Sequence, residues 1–290
     1  MKSQEGLRRA VEGCARCTES RLFASHTGCA VVSRGESVLL VLKGDPDCLA
    51  GGHLEIVPIS HVSSMLQADD ETALEVVRFQ SCIRAMYEKE GKTALFLEAA
   101  VAFRSRPHAH IDVIPVERGM EAEAAMSFRQ AFLSCDEEWA QHRKAIELTA
   151  QRPLRRAVPA HFCYLLAEWG DPDSQQPKDA KQSKGLKNDK KSKDSTGSHS
   201  TYSPYGGIVH PVEVEEGMDA AFCLDVVAGM LGEDCMRMRR ARAGGGRRGG
   251  RGGGGRGGGG VPVTALSVPL LQAVEQFKQR WSPFDWTQYV

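Results

Sequence analysis

Between Pro107 and Pro115 the chain reads Pro-His-Ala-His-Ile-Asp-Val-Ile-Pro, so that His108, His110 and Asp112 alternate with small or apolar residues. Successive side chains of a β-strand point to opposite faces, which puts these three polar groups on one side and Ala109, Ile111 and Val113 on the other. A strand with such an apolar face must lie on a core. Its polar face is left for solvent or for chemistry, and the residues of this stretch alone leave both readings open.

The 290 residues are enough for two modest domains, and 41% hydrophobic content is compatible with real cores. No stretch is apolar enough for a membrane span, and Met1 to Glu12 lacks the apolar core of a signal peptide, so a soluble intracellular protein without membrane partners is expected. Nine scattered cysteines do not form the framework of a secreted disulfide-rich domain; free thiols or metal ligands fit them better. The formal net charge of zero hides an asymmetry. Residues 178–193 hold seven lysines against two aspartates, and residues 237–256 hold eight arginines and no acid. A mildly acidic body therefore carries two basic appendages.

Upstream of the His-Ala-His run, Leu7 to Val11 suits a short helix leading to Cys14-Ala15-Arg16-Cys17, a lone C-x-x-C that is redox, metal-binding or accidental. Thr27 to Ser33 and Ser37 to Leu42, separated by Arg34-Gly35-Glu36, suit two strands and a turn. Gly51 to Val62 reads as a glycine turn, a strand and a loop ending in His61. From Asp69 to Glu90 the residues Val76, Phe79, Ile83 and Met86 recur at helical spacing, with Asp69 and Asp70 suited to the start and Gly91 to the end. Thr93 to Leu97 is a further strand.

This order, Gly-His-x-x-Ile-x-Pro-x-x-His, helix, strand, His-x-His, resembles the histidine-triad fold, an antiparallel sheet with helices. The resemblance to its zinc-bearing branches implies a metal held by Cys14, Cys17, His61 and His108. Two thiolates and two imidazoles make a closed tetrahedral set of the kind that serves structural zinc. The same resemblance puts His110 in the place of the nucleophile that attacks phosphorus. Asp112 departs from the pattern, because active relatives carry a group there that can donate to phosphate, and a carboxylate would repel it.

Farther on, residues 128–146 suit an amphipathic helix containing Asp136-Glu137-Glu138-Trp139. Arg156-Ala157-Val158-Pro159 leads to a strand over 162–169, then Gly206-Gly207-Ile208-Val209-His210, a helix over 218–231, and a last helix over 266–281 followed by Phe284-Asp285-Trp286-Thr287. In this order the set is similar to the paired C-terminal domains of the CwfJ family of splicing factors. The likeness implies an α+β fold: a histidine-triad-like domain over 1–116 and a smaller α+β domain over 117–290, interrupted by insertions at 172–201 and 237–262. It further implies a nuclear protein acting with spliceosomal proteins and intron-lariat RNA, with the lariat debranching enzyme as a further partner.

The lysine-rich insertion has too few apolar residues to offset the entropy of ordering. The arginine-glycine tract, with Arg247, Arg248, Arg251 and Arg256, has the composition of flexible RNA-binding segments; the alternative is low-complexity expansion in a loop. Three readings follow: a non-catalytic, zinc-pinned splicing factor that docks RNA and protein; a nucleotidyl hydrolase or transferase using His110; and an RNA-binding protein acting through its arginine-glycine tract alone.

Overall fold

The computed structural model describes residues 2–44, 48–135, 143–149, 151–170, 206–213, 218–232 and 268–289. Its centre is β5 (Ile111–Glu117), whose two faces feed two different cores. Ile111 and Val113 enter one core, and Ile114 and Val116 enter the other. His108, Ala109 and His110 precede the strand rather than lying within it, with the Ala109 N–H donating to the Val62 carbonyl at 2.7 Å. The polar face predicted from alternation is thus short. It ends at Asp112, where the apolar core resumes.

The other strands are β1 (Val31–Arg34), β2 (Val38–Leu42), β3 (Leu54–Pro58), β4 (Lys92–Ala100), β6 (Ile146–Leu148), β7 (Cys163–Trp169) and β8 (Gly206–Val212). They form one sheet in the order β1-β2-β3-β5-β4-β7-β8-β6, with antiparallel pairing throughout. The chain therefore adopts the expected α+β architecture, an antiparallel sheet with helices. β4 pairs with β5 on one side, Leu95 opposite Ile114, and with β7 on the other, Leu97 opposite Ala167. The sheet consequently runs unbroken from the residues before 116 to those after 117. β7 and β8 pair along their whole length, from Cys163 opposite Val212 to Trp169 opposite Gly206, despite the long insertion between them; loop-closure entropy grows only logarithmically with length.

Helix α1 (Lys2–Glu12) leads to the C-x-x-C loop. Helix α2 (Asp70–Lys89) covers the first core, burying Val76, Phe79, Ile83 and Met86, the stripe that its periodicity predicts. Asp69 caps it by accepting the Thr72 N–H at 2.7 Å, and Gly91 leaves it at φ +74°, a left-handed conformation that suits glycine. Gly52 turns at φ +95° beneath the Tyr87 hydroxyl, which donates to the Gly52 carbonyl. A Cβ there would meet that oxygen at 2.9 Å.

Helices α3 (Met120–Leu133) and α5 (Phe222–Met230) cover the second core, where Phe128, Phe132 and Val227 pack against Leu95, Leu97 and Leu165. A third cluster lies on the opposite face of β7, where Tyr164 and Leu166 pack with Leu66 and Val158 beside the short helix α4 (Leu154–Ala157). The last helix, α6 (Val268–Trp281), returns to the first core with Val274, Phe277 and Trp281.

One expectation is corrected. The helix expected over 128–146 runs from Met120 to Leu133 instead, and Ile146 lies in β6, paired with Val209. Ile146 and Leu148 are buried while Glu147 is exposed, a period of two that belongs to a strand. Asp136 to Trp139 lie outside the described residues. Of the terminal aromatics, Phe284 and Trp286 pack on the first core, but Tyr289 is 85% exposed.

Candidate metal centre and the charged cluster beside it

Four side chains from distant parts of the chain converge at one end of β5. The potential ligand atoms of Cys14, Cys17, His61 and His108 all lie within 4.8 Å of one another. His108 Nδ1 is 3.4 Å from Cys14 Sγ and 3.3 Å from Cys17 Sγ, and His61 Nδ1 is 3.0 Å from Cys17 Sγ. These are separations expected along the edges of a tetrahedron of sulfur and nitrogen around one small cation. A Cys14 to Cys17 spacing on a tight loop places two sulfurs together, and the turn is fixed by the Cys14 N–H donating to the Val11 carbonyl at 3.1 Å.

The outer nitrogens of both rings are held as metal-ligating histidines require. His61 Nε2 lies 3.1 Å from the Arg106 carbonyl and His108 Nε2 lies 2.8 Å from the Pro58 carbonyl. A carbonyl only accepts, so each Nε2 carries the proton and each Nδ1 offers a lone pair towards the thiols. The Arg106 carbonyl is aimed by an unusual backbone: Arg106 and Ala102 have φ of +52° and +59°, and such left-handed non-glycine residues cost on the order of 1–3 kcal/mol each. Burial lowers the His108 pKa to about 4, so the ring is neutral. Burial, together with Cys14, raises the Cys17 thiol to about 12. The Cys17 thiol, held against such a cost to ionisation beside Cys14 and facing the His61 and His108 rings, completes a donor set that fits a divalent cation able to release the thiol proton.

Beside this group lies a second, charged cluster. Arg16, inside the C-x-x-C loop, forks onto Glu55, Nε to Oε2 at 3.2 Å and Nη2 to Oε1 at 2.8 Å. Lys43 Nζ donates to Glu55 Oε1 at 2.7 Å and to Asp112 Oδ1 at 2.9 Å. His53 Nδ1 accepts the Leu49 N–H at 3.2 Å, which leaves the proton on Nε2, 3.0 Å from Asp112 Oδ1. Burial would raise both carboxyls. His110, Lys43 and Arg16 nevertheless pull Glu55 down to about 2, and Lys43 and His53 hold Asp112 well below the usual carboxylate range.

His110 borders this cluster. Its Nδ1 is 3.3 Å from the His108 carbonyl, and its Nε2 faces Asp112 Oδ2 at 3.6 Å. Burial lowers its pKa, favouring the neutral ring. A neutral imidazole is the form a nucleophile needs, but the nitrogen that would attack looks at a carboxylate.

Sequence reasoning anticipated the four potential ligands and the adjacency of His110 and Asp112. It missed Arg16, Lys43, His53 and Glu55 as a set. One signal was present: His53 and Glu55 alternate with Leu54 and Ile56 where the chain enters β3, the same polar-face pattern as in the His-Ala-His run. Arg247, Arg248, Arg251 and Arg256 lie outside the described residues. Among the described residues no helix is long and apolar enough to cross a membrane.

Residues 1–129 match a family model described as "Protein similar to CwfJ C-terminal". A "CWF19-like protein 2 homolog" of Caenorhabditis elegans is 24% identical over 99% of this chain and 49% of its own length. The "Pre-mRNA-splicing factor cwf19" of Schizosaccharomyces pombe is 33% identical over 40% of this chain and 18% of its own length. The chain thus spans about half of the nematode relative and under a fifth of the yeast one. A crystal structure of a Hit-like protein from Bartonella henselae covers 32% of this chain and 72% of that chain, at 21% identity and a TM-score of 0.23, a likeness too slight to bear on the assignment. Residues 1–129, which hold both the cysteine-histidine group and the charged cluster, are thus similar to the C-terminal region of the CwfJ family.

Proposed function

We propose that this chain is a non-catalytic module of a nuclear pre-mRNA splicing factor, pinned by one structural zinc and docking on protein and RNA. The observation that carries the splicing role is the alignment over 99% of the chain with a CWF19-like relative, joined to the CwfJ family match. Cys14, Cys17, His61 and His108 would hold the zinc, which supplies a closed cross-link rather than an open coordination position. That cross-link ties the loop after α1, the loop after β3 and the approach to β5, so metal-binding free energy becomes folding free energy.

The absence of catalysis is supported by Asp112. A phosphate in front of His110 would approach a buried carboxylate whose neighbouring cations are already engaged by Glu55 and Asp112 themselves. Intron-lariat RNA, spliceosomal proteins of the late complexes and the lariat debranching enzyme are the partners proposed, on the family likeness. Arg247, Arg248, Arg251 and Arg256 are proposed to add RNA affinity without sequence choice, through phosphate neutralisation and stacking.

The metal part of this reading is tested by elemental analysis of the purified chain, which should give about one zinc per molecule. Cys14→Ser and His108→Ala should each lose the metal and lower the unfolding midpoint together. A wild type that is fully folded without any metal would contradict it.

A further inference from the structure

The cysteine-histidine group is built by loops and the charged cluster largely by β3, β5 and the residues beside them, yet one residue belongs to both. The Arg16 backbone N–H donates to Cys14 Sγ at 3.3 Å, inside the turn that brings the two cysteines together. Its guanidinium leaves that turn and grips Glu55 in β3 with two hydrogen bonds. Glu55 and Asp112 are 6% and 7% exposed, so each needs a cation or a full set of donors. Lys43 is shared between them, and His53 serves Asp112 alone. With Arg16 in place, two carboxylates face two cations and the rings of His53 and His110. Without it, a buried pair of carboxylates divides one ammonium, and Glu55 loses its only bidentate partner among the described residues.

We propose that Arg16 is a positioning residue that couples occupancy of the Cys14, Cys17, His61 and His108 group to the charge balance of the sheet centre, so that metal binding and the Arg16–Glu55 pair stabilise each other. The proposal rests on the metal reading above. When the loop is closed around a cation, residues 14 to 17 are fixed and the Arg16 fork is pre-aimed at Glu55. When the loop is open, the same guanidinium must be ordered at the cost of a free segment. Linkage makes the effect reciprocal: whatever the metal adds to the ion pair, the ion pair adds to metal affinity.

The experiment measures zinc affinity of the full chain by competition with a chelator, for wild type, Arg16→Ala, Glu55→Gln and the double variant. Arg16→Ala keeps the backbone N–H that contacts Cys14, so loss of sulfur solvation cannot account for its effect. Each single variant should bind zinc about tenfold more weakly, a coupling of the usual allosteric size. The double variant should bind no more weakly than either single one, because both remove the same contact. Glu55→Gln preserves side-chain shape and supplies a folded variant should Arg16→Ala not fold. Unchanged affinity in the single variants, or losses that multiply in the double one, would overturn the coupling while leaving the metal site standing. A wild type that binds no zinc would overturn the metal reading itself and this proposal with it.

Discussion

Glu98 lies on β4 and is 2% exposed, without an ion-pair partner among the described residues, and accepts the Met65 N–H and the Tyr164 hydroxyl at 2.7 Å each. Burial raises its pKa to about 7, against the downward pull of those two donors. Because the folded value lies above the unfolded one, protonated Glu98 contributes stability that is fully present below about pH 4.5 and is lost as pH rises through about 7. The difference is worth about 3 kcal/mol. Glu98→Gln, which keeps shape and cannot ionise, should remove this slope; urea unfolding of both proteins between pH 5 and 8 should show the variant gaining on wild type as pH rises. Parallel curves would place the buried charge elsewhere. A second expectation at this scale concerns His110. Incubated with adenosine phosphoramidate or a dinucleotide, wild type should turn over no faster than His110→Ala, and robust activity lost on that change would restore the enzymatic reading. The four potential ligands that the structure brings together were legible through the family resemblance, because each sits in a short motif of that family. Glu98 was not, since a lone acid between Leu97 and Ala99 announces neither its burial nor the β7 tyrosine that donates to it.

Among the elements, α6 and the turns after it do the work of closing the edge of the sheet. β1 is an outermost strand, and such edges are left open to pairing with other chains unless they are covered. Here Trp281 is 1% exposed and stacks on Phe79 at 6.3 Å between ring centres, while Trp286 meets the same ring at 5.4 Å. Asp285 accepts the Ser33 hydroxyl of β1 at 2.8 Å and the Thr287 hydroxyl at 2.7 Å. Deleting everything after Gln279 also removes Arg280, which grips Glu90 with both oxygens at 2.8 Å. Truncation should therefore lower stability by at least the 3–5 kcal/mol typical of removing one buried large aromatic, on the order of half a domain's total. Tyr289→Ala, at an 85% exposed ring, should leave the urea midpoint unchanged and serves as the control. A truncated chain with a wild-type midpoint would make the tail peripheral. Periodicity located α2 well because its apolar stripe packs on one core. It misplaced the helix after β5, since Phe128, Phe132 and Ile146 happen to continue a helical spacing although Ile146 belongs to a strand whose partner, Val209, comes 63 residues later.

For the molecule as a whole, one sheet carries residues from both halves of the chain, with the metal group and the charged cluster at one end of its central strand. On the function proposed above, such a body would serve as a docking platform, and the basic segments 178–193 and 237–256 would add RNA affinity. The sheet order could not be read beforehand. The pairing of β4 with β7 joins Leu95 to Trp169 across 73 intervening residues, and alternation shows which face a strand buries but not which neighbour it takes. The charged cluster depends on the same long-range register, because Glu55 and Asp112 meet only where β3 pairs with β5. The central claim, a metal-pinned module of the splicing machinery, is tested most directly by purifying the tagged chain from nuclear extract and sequencing the bound RNA alongside mass spectrometry of the bound proteins. Wild type should enrich excised intron lariats and late spliceosomal proteins, and Cys14→Ser should lose both. Recovery of neither lariats nor spliceosomal proteins by a folded, zinc-loaded wild type would contradict it.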